Sequence, residues 1–172
     1  MARTRQRATR TPRGTVHHTI RSHAAIAGHP LHPVLIHFPV AMLIALVASD
    51  LGYLYTDDPF WARTGLWLAG VGAFGGWVAS LIGLIDLTTI KEVRRLVAGW
   101  CHAIIAVMML SLASLNWLLR FHDASAIFPW GLGLSLLTAG LVALAGFLGG
   151  QLVYEHAVGV DLDHALEELE EE

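Results

Sequence analysis

Residues 33–55 read PVLIHFPVAMLIALVASDLGYLY, an apolar run whose only charge is Asp50. A bilayer core about 30 Å thick is crossed by roughly 20 apolar helical residues, so this run is long enough to span a membrane. Gly-His-Pro-Leu-His at 28–32 leads into it and places His29, His32 and His37 around its mouth. Imidazole at the edge of a membrane segment is costly to bury and able to bind metal. Each of these histidines therefore needs a partner.

Working outward, three more segments meet the same length: residues 64–89, 96–119 and 127–153. Charge is scarce throughout, at 15% of 172 residues, against about 25% in a soluble domain. The expected fold is an all-α integral membrane protein, an antiparallel bundle of four transmembrane helices joined by short loops. Residues 28–160 form the membrane domain. Residues 1–27 read as a disordered basic tail, with an organellar transit peptide as the other reading, and residues 161–172 as an acidic tail. No internal repeat is evident. A single cysteine, Cys101, excludes an intramolecular disulfide framework.

The net charge of −3 hides a polarised chain: six arginines and no acid in residues 1–27, eight acids and no Lys or Arg in residues 155–172. Four spans put both termini on one side, with nine of the eleven Lys and Arg residues. The positive-inside rule makes that side cytoplasmic. Arg63 and Arg120 fall on the opposite side.

Pro30 and Pro33 keep residues 28–33 from starting a helix early, and Pro39 predicts a local kink beside His37. Small residues recur at helical spacing in span two (Ala69, Gly72, Gly76, Ala79, Gly83) and span four (Ala139, Ala143, Gly146, Gly150), which lets helix backbones approach closely in lipid. Span three presents His102, Ala106, Met109, Ala113 and Asn116 on one face.

His37 lies four residues into span one and His102 about six into span three. The two spans run in the same direction, so the imidazoles lie at similar depth. Diagonal helices of a square bundle are roughly 11–14 Å apart, a gap suited to a macrocycle held from both sides. Haem b with His37 and His102 as axial ligands fits two such histidines, and Asp86, ending span two, is the candidate to orient one of them. Two other readings stay open. The histidines could pair with each other and lock two helices, or a non-haem metal could draw on His29, His32, His37, His102 or His156. Asp50, near the other face, is expected to meet Arg63, Arg120 or water.

The same residues carry a family resemblance. His29-Pro30-Leu31-His32-Pro33, His37-Phe38-Pro39, Asp50, Gly83 with Asp86, His102, and the ending 149–156 (GGQLVYEH) with Gly159-Val160 resemble an uncharacterised family of small bacterial inner-membrane proteins, a domain of unknown function with four transmembrane helices. Ala157 stands where many members carry Gly. The family is similar in architecture to membrane cytochrome b and ferric-reductase proteins, and some relatives are fused to Rieske-type or dehydrogenase modules. The resemblance implies electron traffic with a separate redox partner protein, a respiratory-type complex or quinone.

The functional expectation is a b-type haem electron-transfer protein or redox-complex subunit in the inner membrane, with no independent catalytic activity and no nucleic-acid partner. The alternative is a cofactor-free structural or assembly subunit. A small transporter is disfavoured, because no span has a broken middle with polar groups at mid-membrane depth.

Overall fold

The structure, a computed structural model, describes residues 20–160. Its elements are β1 (Ala25–Ile26), β2 (His29–Pro30), α1 (Leu31–Thr56), α2 (Pro59–Thr89), α3 (Lys91–Arg94), α4 (Val97–His122) and α5 (Trp130–Tyr154). Helices α1, α2, α4 and α5 are long and apolar enough to cross a membrane, so the chain is an all-α membrane bundle. The acidic tail at 161–172 and most of the basic tail lie outside the described residues.

Each helix begins and ends for a local reason. Pro33 sits in the first turn of α1, where its missing N–H costs nothing, and α1 runs unbroken through Pro39. Asp57, in the left-handed region at φ 54°, ends α1. Asp58 then caps α2 by accepting from the Phe60 N–H at 2.8 Å, with Pro59 as the first helical residue. At the end of α4, Asp123 accepts from the Ser125 N–H and hydroxyl. These two bonds hold its carboxyl below the usual carboxylate range.

The long helices close into a ring in which α1 and α4 each pack on both α2 and α5. Helices α1 and α4 therefore lie on one diagonal and α2 and α5 on the other. Leu43, Ala73, Met109, Leu110, Ala113 and Val142 fill the middle of the bundle. The glycines of α2 make the close approach possible. A Cβ at Gly72 would lie 2.8 Å from Leu43, and one at Gly76 would run into Leu110. Large apolar side chains such as Phe38, Phe74, Leu81 and Phe147 face outward, as a lipid solvent allows.

The expected stripe on α5 is displaced. Ala143 and Gly146 are exposed, while Gly131, Ser135, Thr138, Val142 and Ala145 are buried. Small residues at helical spacing occur on two faces of this helix, and the buried face is the one that also carries the polar Ser135.

Residues 20–27, read from sequence as the end of the tail, belong to the fold. They form a strap across the end of the bundle. Ala27 and Gly28, at φ 50° and 80°, make the tight turn between β1 and β2, where a two-residue hairpin loop favours positive φ. The strap is tied to the chain after α5 by the Gly159 N–H donating to the Ile20 carbonyl at 2.8 Å.

Candidate functional site: a pair of imidazoles between diagonal helices

Two polar layers interrupt the apolar bundle. In the first, the rings of His32 (α1) and His102 (α4) stand edge to face, with centroids 6.1 Å apart. Nδ1 of His32 lies 2.8 Å from the Ala79 carbonyl of α2, and Nδ1 of His102 lies 2.9 Å from the Ala145 carbonyl of α5. A carbonyl only accepts, so both Nδ1 atoms carry the hydrogen. In a neutral imidazole that leaves Nε2 as a bare lone pair, and neither Nε2 has a hydrogen-bond partner among the described residues. Each ring is thus fixed by backbone and offers one free nitrogen.

Glycine makes room for both rings. A Cβ at Gly83 would lie 2.8 Å from Nδ1 of His32, and one at Gly149 would lie 3.4 Å from the His102 ring. Ala79, Gly83 and Asp86 lie on one face of α2, spaced by four and three residues. This face takes the His32 ring at its first two positions and the strap at its third. The carboxylate of Asp86 accepts from the Ser22 hydroxyl at 2.6 Å and from the N–H groups of His23 and Ala24 at 2.8 and 3.0 Å. The Ala24 carbonyl in turn accepts from the Leu31 N–H at 2.9 Å, at the start of α1.

The second layer is a buried ion pair. Asp50 and Arg120 are both fully excluded from solvent, with Oδ1 and Nη1 2.8 Å apart. That contact is ionic in geometry, and the hydrogen bond runs instead from Nη2 to Oδ2, at 2.8 Å. Asn116 Oδ1 accepts from Nε of Arg120 at 2.9 Å, and the Ser135 hydroxyl donates to Asp50 at 2.6 Å. Gly65 of α2 lies against the guanidinium, where a Cβ would be 2.8 Å from Nη1. All four long helices meet here. Of the partners expected for Asp50, the fold selects Arg120; Arg63 is exposed.

The remaining histidines are not gathered. His37 is exposed on α1, His29 is exposed in β2, and His156 is half-buried beyond α5. Among the described residues no three His, Cys, Asp or Glu side chains come together as a metal site. The fold therefore makes a His32–His102 pair, not the His37–His102 pair expected from sequence. The reason is angular. Five residues on a helix turn about 140°, so a helix that aims position 32 inward aims position 37 away. Asp86 likewise orients the strap that precedes His32, and carbonyls orient the rings.

Sequence reading named His32 only as an alternative metal ligand and missed Ser135, although a stronger signal for His32 was present. Asp50, the lone charge of its span, must face inward, and eighteen residues are five helical turns. Counting back eighteen from Asp50 gives His32, and counting back eighteen from Arg120 gives His102.

A family model described as a predicted membrane protein (DUF2231) matches residues 28–162. The chain belongs to this family. The matched stretch holds both polar layers and the Asp86 anchor. No curated protein and no solved structure matches the chain.

Proposed function

We propose that this DUF2231 protein is a membrane-embedded electron-transfer protein, or a subunit of a redox complex, that holds one haem b between His32 and His102. The observation that carries the reading is the pair itself: two imidazoles from diagonal helices, each with Nδ1 tied to a carbonyl and Nε2 uncommitted. Tying the outer nitrogen in this way is how proteins orient metal-binding histidines. His32 and His102, with ring centroids 6.1 Å apart, would be the residues to hold the haem through their Nε2 atoms. Two protein ligands are too few for a structural zinc site. They would suffice for haem, with His32 and His102 as the protein's two donors.

Bound haem would supply reversible one-electron chemistry. The chain's own part is to hold the imidazoles. The Ala79 and Ala145 carbonyls fix the ring tautomers, and Gly83 and Gly149 let the rings lie against helix backbone. With His32 and His102 both engaged in holding the group, the site would serve electron transfer and not turnover of a small substrate.

The distribution of basic residues along the sequence supports termini, and with them a His layer, on the cytoplasmic side of a bacterial inner membrane. The electron partner is then a cytoplasmic-side protein or the quinone pool. The acidic residues 161–172 favour a basic docking surface, with association that weakens as salt rises.

One observation favours a second reading. The rings stand edge to face with centroids 6.1 Å apart, an arrangement that also suits an aromatic pair locking two helices of a structural subunit. The optical spectrum of detergent-purified protein from haem-replete cells separates the two. A Soret band with an alpha band that sharpens on dithionite reduction supports haem; His32→Ala and His102→Ala each remove that spectrum and His37→Ala leaves it. A colourless, metal-free protein supports the structural subunit.

A further inference from the structure

The two polar layers are related in a way that neither shows alone. Each buried residue of α5 has a buried counterpart in α2 at a constant offset of 66: Gly65 and Gly131, Ala69 and Ser135, Gly72 and Thr138, Gly76 and Val142, Ala79 and Ala145. Between α1 and α4 the offset is 70: Pro39 and Met109, Leu43 and Ala113, Leu46 and Asn116, Asp50 and Arg120. His32 and His102 are also 70 apart, and Gly83 and Gly149 are 66 apart.

The interactions repeat with the positions. Each histidine donates from Nδ1 to an alanine carbonyl of the next long helix in its own hairpin, at 2.8 and 2.9 Å. In both hairpins the glycine four residues beyond that alanine lies against the ring. The packing repeats as well: α1 lies on α5 as α4 lies on α2. Once aligned, the residues themselves show the echo. Gly65-Leu66-Trp67-Leu68 answers to Gly131-Leu132-Gly133-Leu134, and Ala73 to Ala139.

We infer that the chain is one helical hairpin used twice, α1–α2 and α4–α5, closed about an internal two-fold axis that passes between His32 and His102. The two imidazoles are then two copies of one residue. Their site is a single receptor on the axis that would offer a ligand two equivalent nitrogens, Nε2 of each ring. This deepens the haem reading and rests on it only for the identity of the ligand. The axis also explains the other layer. Copies of one residue facing each other across a two-fold would place like charges together, and Asp50 with Arg120 makes the halves unequal where equality would repel. Leu46 with Asn116 and Ala69 with Ser135 complete the inequality, because the polar residues that surround the pair all come from the second hairpin.

Exchange across the axis tests the inference on the full-length protein in detergent. One variant moves the whole polar set to the first hairpin: Leu46→Asn, Asp50→Arg, Ala69→Ser, Asn116→Leu, Arg120→Asp and Ser135→Ala. Asp50→Leu and Arg120→Leu alone should each lower Tm by roughly 10 °C. The exchanged variant should recover more than half of that loss. Recovery no better than the single variants overturns the equivalence of the halves. As a second measurement, spin labels on outward-facing positions in a Cys101→Ala background compare the pair 38 and 81 with its counterpart 108 and 147. Matching distance distributions are expected, and clearly different ones overturn the axis. Neither measurement involves haem, so a colourless protein would sink the haem reading and leave the repeat standing.

Discussion

Asp50 and Arg120 lie on diagonal helices, seventy residues apart in the chain, and meet with both side chains fully excluded from solvent. No aqueous screening reaches them, so neither charge can be left alone. Removing one partner of a buried pair costs about 3–5 kcal/mol, while replacing both by apolar residues can be nearly neutral. Asp50→Leu and Arg120→Leu should each destabilise strongly, and the double variant should be more stable than either single one. Thermal unfolding in a fixed detergent checks the order. A double variant worse than both singles would mean that the pair is net stabilising.

Gly83 and Gly149 border the two histidine rings at different clearances. A Cβ at Gly83 would be 2.8 Å from Nδ1 of His32, whereas one at Gly149 would be 3.4 Å from the His102 ring. Gly83→Ala should displace the His32 ring from the Ala79 carbonyl, and Gly149→Ala should be tolerated. With ¹⁵N-histidine labelling, the Nδ1–H resonance of His32 should shift or vanish in Gly83→Ala while that of His102 persists. Persistence of both would show that the bundle opens to admit the methyl group.

Asp86 anchors the strap through three hydrogen bonds to one carboxylate. Bonds to a charged acceptor are worth about 1.5–3 kcal/mol each when buried, and less at this half-buried position. Asp86→Ala should release residues 22–24, and trypsin cleavage after Arg21 should speed up several-fold. Asp86→Asn, which keeps one oxygen acceptor, should fall between. Unchanged cleavage in Asp86→Ala would show that the other end, at Ile20 and Gly159, holds the strap alone.

The inward and outward glycines should respond in opposite ways to one methyl group. At Gly76 a Cβ meets Leu110, while at Gly146 it meets nothing within 4 Å. Gly76→Ala should destabilise. Gly146→Ala should stabilise by up to about 1 kcal/mol, the difference in helix propensity between the two residues. Tm values of the two variants, measured side by side, check the sign.

Ala157 follows α5 at φ 51°, a left-handed conformation that costs a residue with a Cβ about 1–2 kcal/mol. Ala157→Gly should raise stability by up to about 1 kcal/mol, part of the relief being offset by the greater freedom of glycine in the unfolded chain. A lower Tm would mean that the alanine methyl packs usefully.

Much of this fold is written in one dimension. Four apolar runs of spanning length fix four helices, because the bilayer demands length and internally bonded backbone. The face of α4 was legible for a similar reason, since His102, Ala106, Met109, Ala113 and Asn116 follow helical spacing and only one face can be hidden from lipid. The α5 face was not, because small residues recur on two of its sides and spacing alone does not choose between them. The ring pair was half legible: His102 is one of its members, but its partner is His32 and not His37, which sits deeper in its run. Depth is readable from residue count, whereas direction needs the helix phase, and Asp50 supplies that phase only when taken as an inward-pointing reference.

By itself the sequence determined the environment, the number of spans and the residue types that must find partners, because these follow from transfer of side chains and backbone out of water. Which partner each one finds was decided only when the helices closed into a ring. Diagonal contacts join residues seventy apart, and the rotation of each helix about its own axis is set by all its neighbours at once. The pairing of His32 with His102, the choice of Arg120 for Asp50 and the two-fold relation between the hairpins all belong to that closure.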